Sequence, residues 1–248
     1  MLSFIVPAHN EELWIGKCLH SIRATMEIVS EPYEVIVVDD ASTDSTHQIA
    51  QQMGVRTLRI EQRKISTVRN AGARAAGGEV FFFVDADTQV NERAVSAALA
   101  VLRAGAAGGG CVFDFDGPTP LWGRIILFFA VLAARLIRRV GGCFLFCTRE
   151  AYCATGGFSE SLYAGEDLEF VQALKKVGRF VLLKPKVVSS GRKLSVVGPW
   201  EVLGLMLTIA IRGAHYESKW VLDILYGRRA QDSKRPPNAA QQPVKKIR

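Results

Sequence analysis

The sequence predicts an α/β fold: a mostly parallel, Rossmann-like central sheet with helices on both faces, followed by amphipathic helical segments toward the C-terminus. Three observations carry that prediction. Apolar runs of strand length alternate with helix-period segments over the first 90 residues, the pattern of βα units joined by right-handed crossovers. The stretch FFFVDADTQV (81–90) sets four apolar residues between Gly77-Gly78 and polar residues, as a strand buried on both faces does. Two acidic pairs, Asp39-Asp40 and Asp85/Asp87, each follow such a run. Both therefore meet the edge formed by the carboxyl ends of the strands, where α/β sheets bind ligands.

In chain order, residues 2–6 read as a first strand that Pro7 closes without loss of a central ladder bond. Asn10-Glu11-Glu12 opens a helix whose apolar positions Leu13, Cys18, Leu19, Ile22 and Met26 recur at helical spacing. Residues 33–38 form a second strand, and DDASTD (39–44) supplies a turn and the N-cap of a short helix reaching about Met53. Residues 55–60 make a third strand. A helix over about 66–76, ended by Gly77-Gly78, leads to the strand at 80–84. In an extended chain side chains at i and i+2 share a side, so Asp85 and Asp87 are expected to face one ligand. Asp-rich strand ends also cap helices, and for 39–44 that reading stands beside the ligand-binding one. Four carboxylates on one edge repel each other unless a cation or hydrogen-bond donors offset them.

With 248 residues, 49% of them hydrophobic and 22% charged, the composition is that of a folded core and excludes a disordered chain. The five cysteines lack CxxC spacing and lie mostly among apolar residues, so they read as buried free thiols. The four histidines show no HxxxH pair, which argues against zinc. The net charge of +7 is not a nucleic-acid signal: residues 227–248 hold seven Lys/Arg against Asp232 alone, +6 of the total. Met1–Pro7 lacks the basic and long apolar regions of a signal peptide, so the chain reads as cytoplasmic.

Five elements in order, IVPAHNEE, VVDDASTD, RNAGARAAGGE, VDAD and GGFSESLYAGEDLEF, resemble the inverting family 2 glycosyltransferases of the GT-A fold, which use nucleoside-diphosphate sugars. The resemblance covers roughly residues 2–195. It implies a catalytic domain over 1–195; by composition a hydrophobic or amphipathic helical segment over 196–226 and a basic, disordered tail over 227–248 are expected to follow. The resemblance implies a divalent cation, Mn2+ or Mg2+, with direct ligation by Asp87 and with Asp85 meeting ribose or metal-bound water; carboxylates suit such a cation. Pro7, His9 and Glu11 correspond to the segment around the nucleotide, and Asp40 to the aspartate that accepts from a base N–H, which favours UDP over GDP. Asn70 and Lys64 are assigned to the substrate; Lys64 and Arg69 precede the DAD strand within reach of base or phosphate, and a helix bearing Arg69 and Arg74 reads equally as an ordinary solvated face. By the same resemblance Asp167 is the base that takes the acceptor hydroxyl proton, and Glu166 holds the acceptor or the local turn. Gly156-Gly157-Phe158 would form the turn and wall beside the acceptor. Many relatives carry a histidine near 187–193; here the sequence is VVSSGRK, so Ser189 or Ser190 is a poor substitute ligand and Arg192 or Lys193 would meet the pyrophosphate instead.

The apolar runs 125–134 and 202–211 are too short to cross a bilayer. Arg124, Arg135, Arg138 and Arg139 fall on one side of a helix over 121–140. That pattern suits a helix in the interface of an anionic membrane, at the inner face of the cell membrane, with a lipid-linked or hydrophobic acceptor. A helix packed on the sheet is the other reading. Two rivals to sugar transfer stand at this point: a nucleotidyltransferase, though its Gly-rich basic phosphate loop is missing from PAHNEE, and a non-catalytic membrane-surface adaptor.

Overall fold

The computed structural model describes residues 1–116, 121–137, 142–161 and 165–191, with Trp200 and Gly204. The expected helical segment 196–226 and the basic tail lie otherwise outside the described residues. Eight strands form one sheet in the order β3-β2-β1-β4-β7-β6-β8-β5. Its first half is the expected parallel block: β1 (Leu2–Ala8) lies between β2 (Tyr33–Asp40) and β4 (Val80–Val84), and β3 (Arg56–Ile60) edges β2. Every residue of β1 is buried, which explains the apolar run Phe4–Ala8; the polar Ser3 donates to Glu34 Oε1 at 2.7 Å.

The second half turns mixed. β7 (Phe144–Thr148) runs antiparallel to both β4 and β6 (Gly108–Asp116), β8 (Phe180–Ser190) runs parallel to β6, and the two-residue β5 (Thr88–Gln89) pairs antiparallel with β8. The register of β6 against β8 slips between Cys111, opposite Leu183, and Val112, opposite Lys186. The bypassed residues are Lys184 and Pro185, and Pro185 cannot donate to the ladder. Beyond that bulge β8 extends to Asp85–Thr88, with Ser190 N–H donating to Asp87 O at 3.1 Å.

Helices cover both faces, as expected. One core cluster joins α1 (Ile15–Val29), α2 (Thr46–Gln52) and α4 (Glu92–Arg103) to one face through Phe4, Phe82 and Phe146. The other joins α3 (Ile65–Ala75), α6 (Arg149–Thr155) and α7 (Glu166–Val177) through Phe83, Phe158 and Phe170. Phe4 and Phe82 stack at 4.8 Å on the first face, and Phe158 and Phe170 at 4.1 Å on the second. Four of the cysteines are buried free thiols, as expected; Cys153 is exposed.

One expectation is corrected. The helix does not open at Asn10-Glu11-Glu12 but at Ile15. The N–H groups of Asn10, Glu11 and Glu12 are used across the fold, by Ser42 Oγ (3.0 Å), Thr46 Oγ1 (2.7 Å) and Asp44 Oδ2 (3.1 Å). In return Asn10 Oδ1 accepts from Thr43 N and Glu12 Oε2 from Ser45 N. This two-way zipper claims the backbone groups that a first helical turn leaves open. The expected helix over 121–140 is present as α5 (Leu121–Ile137), on which Ile125, Phe128, Phe129 and Leu132 are exposed.

β6 tolerates its close neighbours because it begins Gly108-Gly109-Gly110. A Cβ on Gly109 would stand 2.2 Å from Val181 O and 2.4 Å from Phe146 Cζ. Backbone cannot yield cheaply, so Gly109→Ala is expected to lower stability by about 1–3 kcal/mol or more. A melting temperature equal to the parent's would contradict this packing.

Candidate active site

The carboxyl ends of β1, β2 and β4 open into a cavity of about 440 Å³. Seven residues singled out from sequence line it: Pro7, His9, Glu11, Asp40, Lys64, Asp85 and Asp87. Val68 and Ile65 of α3 give it an apolar wall.

β2 separates its two terminal acids because adjacent strand residues face opposite ways. Asp39 turns away and is fully buried, where Ser42 N–H donates to its carboxylate (3.2 Å) and His47 Nδ1 (3.4 Å) and Arg59 Nε (3.7 Å) lie beside it. Asp40 faces the cavity. Gln62 N–H donates to its Oδ1 at 2.7 Å, and its carbonyl accepts from His9 Nδ1 at 2.5 Å. Of the acids in this segment, Asp39 holds the turn through Ser42 N–H, Asp44 accepts from Thr46 N–H (3.0 Å) at the start of α2, and Asp40 lines the cavity. Asn10 and Ala41, flanking this rim, both adopt left-handed backbone (φ 52° each), a cost that the surrounding hydrogen bonds sustain.

The chain does not stay extended through Asp85-Ala86-Asp87. Thr88 N–H donates to Asp85 O at 2.9 Å, closing a turn, so the two acids share the cavity without sharing a strand face. Asp87 is buried. Asp85 Oδ1 is gripped by Arg69 Nη2 at 2.9 Å.

Arg69 is not on a solvated face, and its partners here are carboxylates and a backbone carbonyl. It is 2% exposed, and besides Asp85 its guanidinium donates to Glu166 Oε1 (2.9 Å) and to Gly142 O (3.2 Å), with the Phe158 ring 5.2 Å away. Its helical phase was the available signal: Arg69, Gly72, Ala73 and Ala76 fall at i, i+3, i+4 and i+7, the buried stripe of α3. Paired with two carboxylates, Arg69 is held more firmly in its charged form than an ordinary arginine.

Glu166 and Asp167 begin α7 and do not line the cavity; Arg69 connects them to it. Glu166 is buried, and burial first, then the neighbouring Asp167 charge, push its carboxyl up to about 7 against the pull of Arg69. Asp167 is half-buried. Gly142 N–H donates to its Oδ2 (2.6 Å) and Leu168 N–H to its Oδ1 (2.7 Å), which fixes the carboxylate plane. Only glycine fits at 142: an added Cβ would sit 2.9 Å from Arg69 Nη2 and 3.0 Å from Asp167 Cβ.

Asn70 serves the scaffold. Its Oδ1 accepts from Phe158 N (2.9 Å) and Tyr152 Oη (2.7 Å), and its Nδ2 donates to Phe158 O (2.8 Å) and Glu160 Oε1 (2.8 Å). These bonds fill the amide's capacity and hold the Gly156-Gly157 turn, whose φ values are 76° and 81°. Phe158 itself is buried beneath Arg69 and so is not an exposed wall for an acceptor. Lys64 lines the cavity, and its ammonium donates to the Glu160 carbonyl. Arg192 and Lys193 lie outside the described residues.

The donor set suits a hard cation brought in with a diphosphate. It offers two carboxylates and, among the described residues, no group of three or more His, Cys, Asp or Glu that could hold a metal by themselves. Ser189 and Ser190 stand beside this turn, opposite Thr88 and Asp87, and add only hydroxyls.

Residues 3–151 match the family described as glycosyl transferase family 2. The poly(ribitol-phosphate) β-N-acetylglucosaminyltransferase TarS of Staphylococcus aureus is 34% identical over 106 residues, 40% of this chain and 18% of that protein. Validoxylamine A glucosyltransferase of Streptomyces hygroscopicus subsp. limoneus is 29% identical over 131 residues, 48% of this chain and 28% of that one. The chain thus spans less than a third of the length of these relatives. S. aureus TarS 1-349 in complex with UDP-GlcNAc superposes with a TM-score of 0.62 at 21% identity, covering 92% of this chain and 72% of that one. Mannosyltransferase PcManGT from Pyrobaculum calidifontis, in complex with GDP-Man and Mn2+, superposes with a TM-score of 0.64 at 20% identity, covering 95% and 66%. These likenesses establish the GT-A fold that the motifs implied. With the family match running from β1 through the start of α6, more than half of its length, the chain belongs to glycosyl transferase family 2.

Proposed function

We propose that the protein transfers a sugar from a nucleoside-diphosphate sugar, a UDP-sugar in preference, to an acceptor hydroxyl, with a divalent cation and with inversion by single displacement. One observation carries this reading: the cavity at the strand ends, with Asp40 and Asp87 facing it, is wired through Asp85 and Arg69 to the Glu166-Asp167 pair. The donors printed for the solved relatives, UDP-GlcNAc and GDP-Man, support a nucleotide sugar in that cavity. The family assignment speaks for sugar transfer over nucleotidyl transfer or a purely adaptor role.

Asp40 accepts from the base, and Pro7 and His9 border it. Asp87 would hold Mn2+ or Mg2+ directly, with Asp85 kept in place by Arg69; when bound, such an ion neutralises charge on the departing diphosphate. Asp167, its plane fixed by two N–H donors, takes the proton from the acceptor hydroxyl as that oxygen attacks the anomeric carbon opposite the diphosphate. One displacement inverts the configuration and needs no enzyme nucleophile. Glu166 holds Arg69 rather than the proton.

Incubation with labelled UDP-sugars and Mn2+ should release UDP, and chelation should stop it. Asp87→Asn keeps the shape but removes the charge, so calorimetry should show Mn2+-dependent UDP affinity reduced about tenfold or more, ~1.4 kcal/mol. Unchanged affinity in that variant removes Asp87 from the metal.

A further inference from the structure

Isolated exposed apolar residues are ordinary on a protein surface, but α5 gathers four on one arc. Ile125, Phe128, Phe129 and Leu132 are 51%, 64%, 61% and 45% exposed, and their spacing of i, i+3, i+4 and i+7 makes one face of a helix. The opposite arc meets the body: Gly123 is buried, and Trp122, Ile126 and Val131 are half-buried. The helix is therefore moored with its apolar face outward. Among the described residues no helix is long and apolar enough to cross a membrane. An interfacial position needs only one apolar face, with charge along its border.

Charge decides between occupants. Leu121–Ile137 contains no acid, and Arg124 is exposed at the edge of the apolar arc. Arg135 follows eleven residues, about three turns, later, then Arg138 and Arg139, and the tail adds +6. A second copy docked face to face would bring this acid-free, arginine-bearing segment against itself, since a two-fold interface repeats the same patch on both sides. A surface of anionic lipid complements them. Ile137 and Gly142 are five residues apart, a reach of at most ~18 Å, and Gly142 holds Asp167.

We propose that the exposed face of α5 seats the protein on an anionic lipid bilayer, which brings the Asp167 side of the site to surface hydroxyls. The consequence for the acceptor rests on the sugar-transfer reading; the docking itself does not. The full chain should sediment with phosphatidylcholine vesicles containing one quarter phosphatidylglycerol and much less with phosphatidylcholine alone, and high salt should weaken binding by screening. Phe128→Glu with Phe129→Glu should lower the partition coefficient at least tenfold while UDP affinity by calorimetry stays parental. Arg135→Glu with Arg138→Glu and Arg139→Glu gives an independent second loss. Three results overturn the proposal: a folded Phe128/Phe129 variant that sediments like the parent, equal parental binding to neutral and anionic vesicles, or a parental dimer that this variant converts to monomer. Loss of vesicle binding with UDP affinity intact separates this proposal from the donor-site reading, which fails only if the parent does not bind UDP.

Discussion

Asp167→Asn should remain folded and bind UDP like the parent while transfer falls by about 10² to 10⁴, ~3–5 kcal/mol of barrier. The fold survives because the amide oxygen can still accept one of the two N–H bonds from Gly142 and Leu168, so stability drops by only ~1 kcal/mol. Donor affinity survives because Asp167 does not line the cavity at the strand ends, where the proposed donor sits. A carboxylate that merely starts a helix would show the stability loss without the collapse in rate. Melting temperature, UDP affinity and turnover measured on one preparation separate these accounts. A stable variant with near-parental turnover ends the assignment and moves the test to Glu166→Gln.

The second large effect is expected at Arg69. Replacement by Met keeps bulk but leaves Glu166 and Asp85 facing each other without their shared cation, and breaking a buried pair from one side typically costs about 3–5 kcal/mol. Arg69→Lys should recover only part, because one ammonium cannot reproduce the fork to two carboxylates. The deficit should depend on pH. In the parent Glu166 is pushed up to about 7, above the 4.5 of the unfolded chain, so its contribution is full below 4.5 and is lost as pH rises through 7. Without Arg69 the carboxyl holds its proton to still higher pH. The variant should therefore be closest to the parent near pH 5 and furthest near pH 8. A pH-independent difference under 1 kcal/mol would show that Arg69 does not carry these charges.

The parallel block was legible because its signals are local. Strand and helix periods alternate, and Val80–Val84 and Tyr33–Asp40 begin where the pattern places them. The mixed half was not, since nothing local to Phe144–Thr148 says that it inserts antiparallel between β4 and β6. Helix α1 was mistimed for a related reason: Asn10-Glu11-Glu12 has the composition of a helix start, but its N–H groups find partners more than 30 residues away. Most candidate nucleotide residues fall together around one cavity because strand ends locate them. Arg69 was left between a base or phosphate contact and a solvated face because charge usually means solvent, although its phase on α3 pointed inward. Asn70 was read as substrate-binding from its neighbourhood in the motif, whereas its amide is spent on the Gly156–Phe158 turn.

The zipper between residues 10–12 and 42–46 also bears on how donor preference can change. Two loops from adjacent strands, far apart in sequence, share at least five hydrogen bonds and border the same cavity. Neither keeps its shape if the other is rewritten, so a graft of one loop from a relative with a different nucleotide would break bonds on both sides. On the nucleotide-sugar reading proposed above, the heritable unit of base recognition is the pair. Exchange of both loops together is the engineering step most compatible with the remaining scaffold.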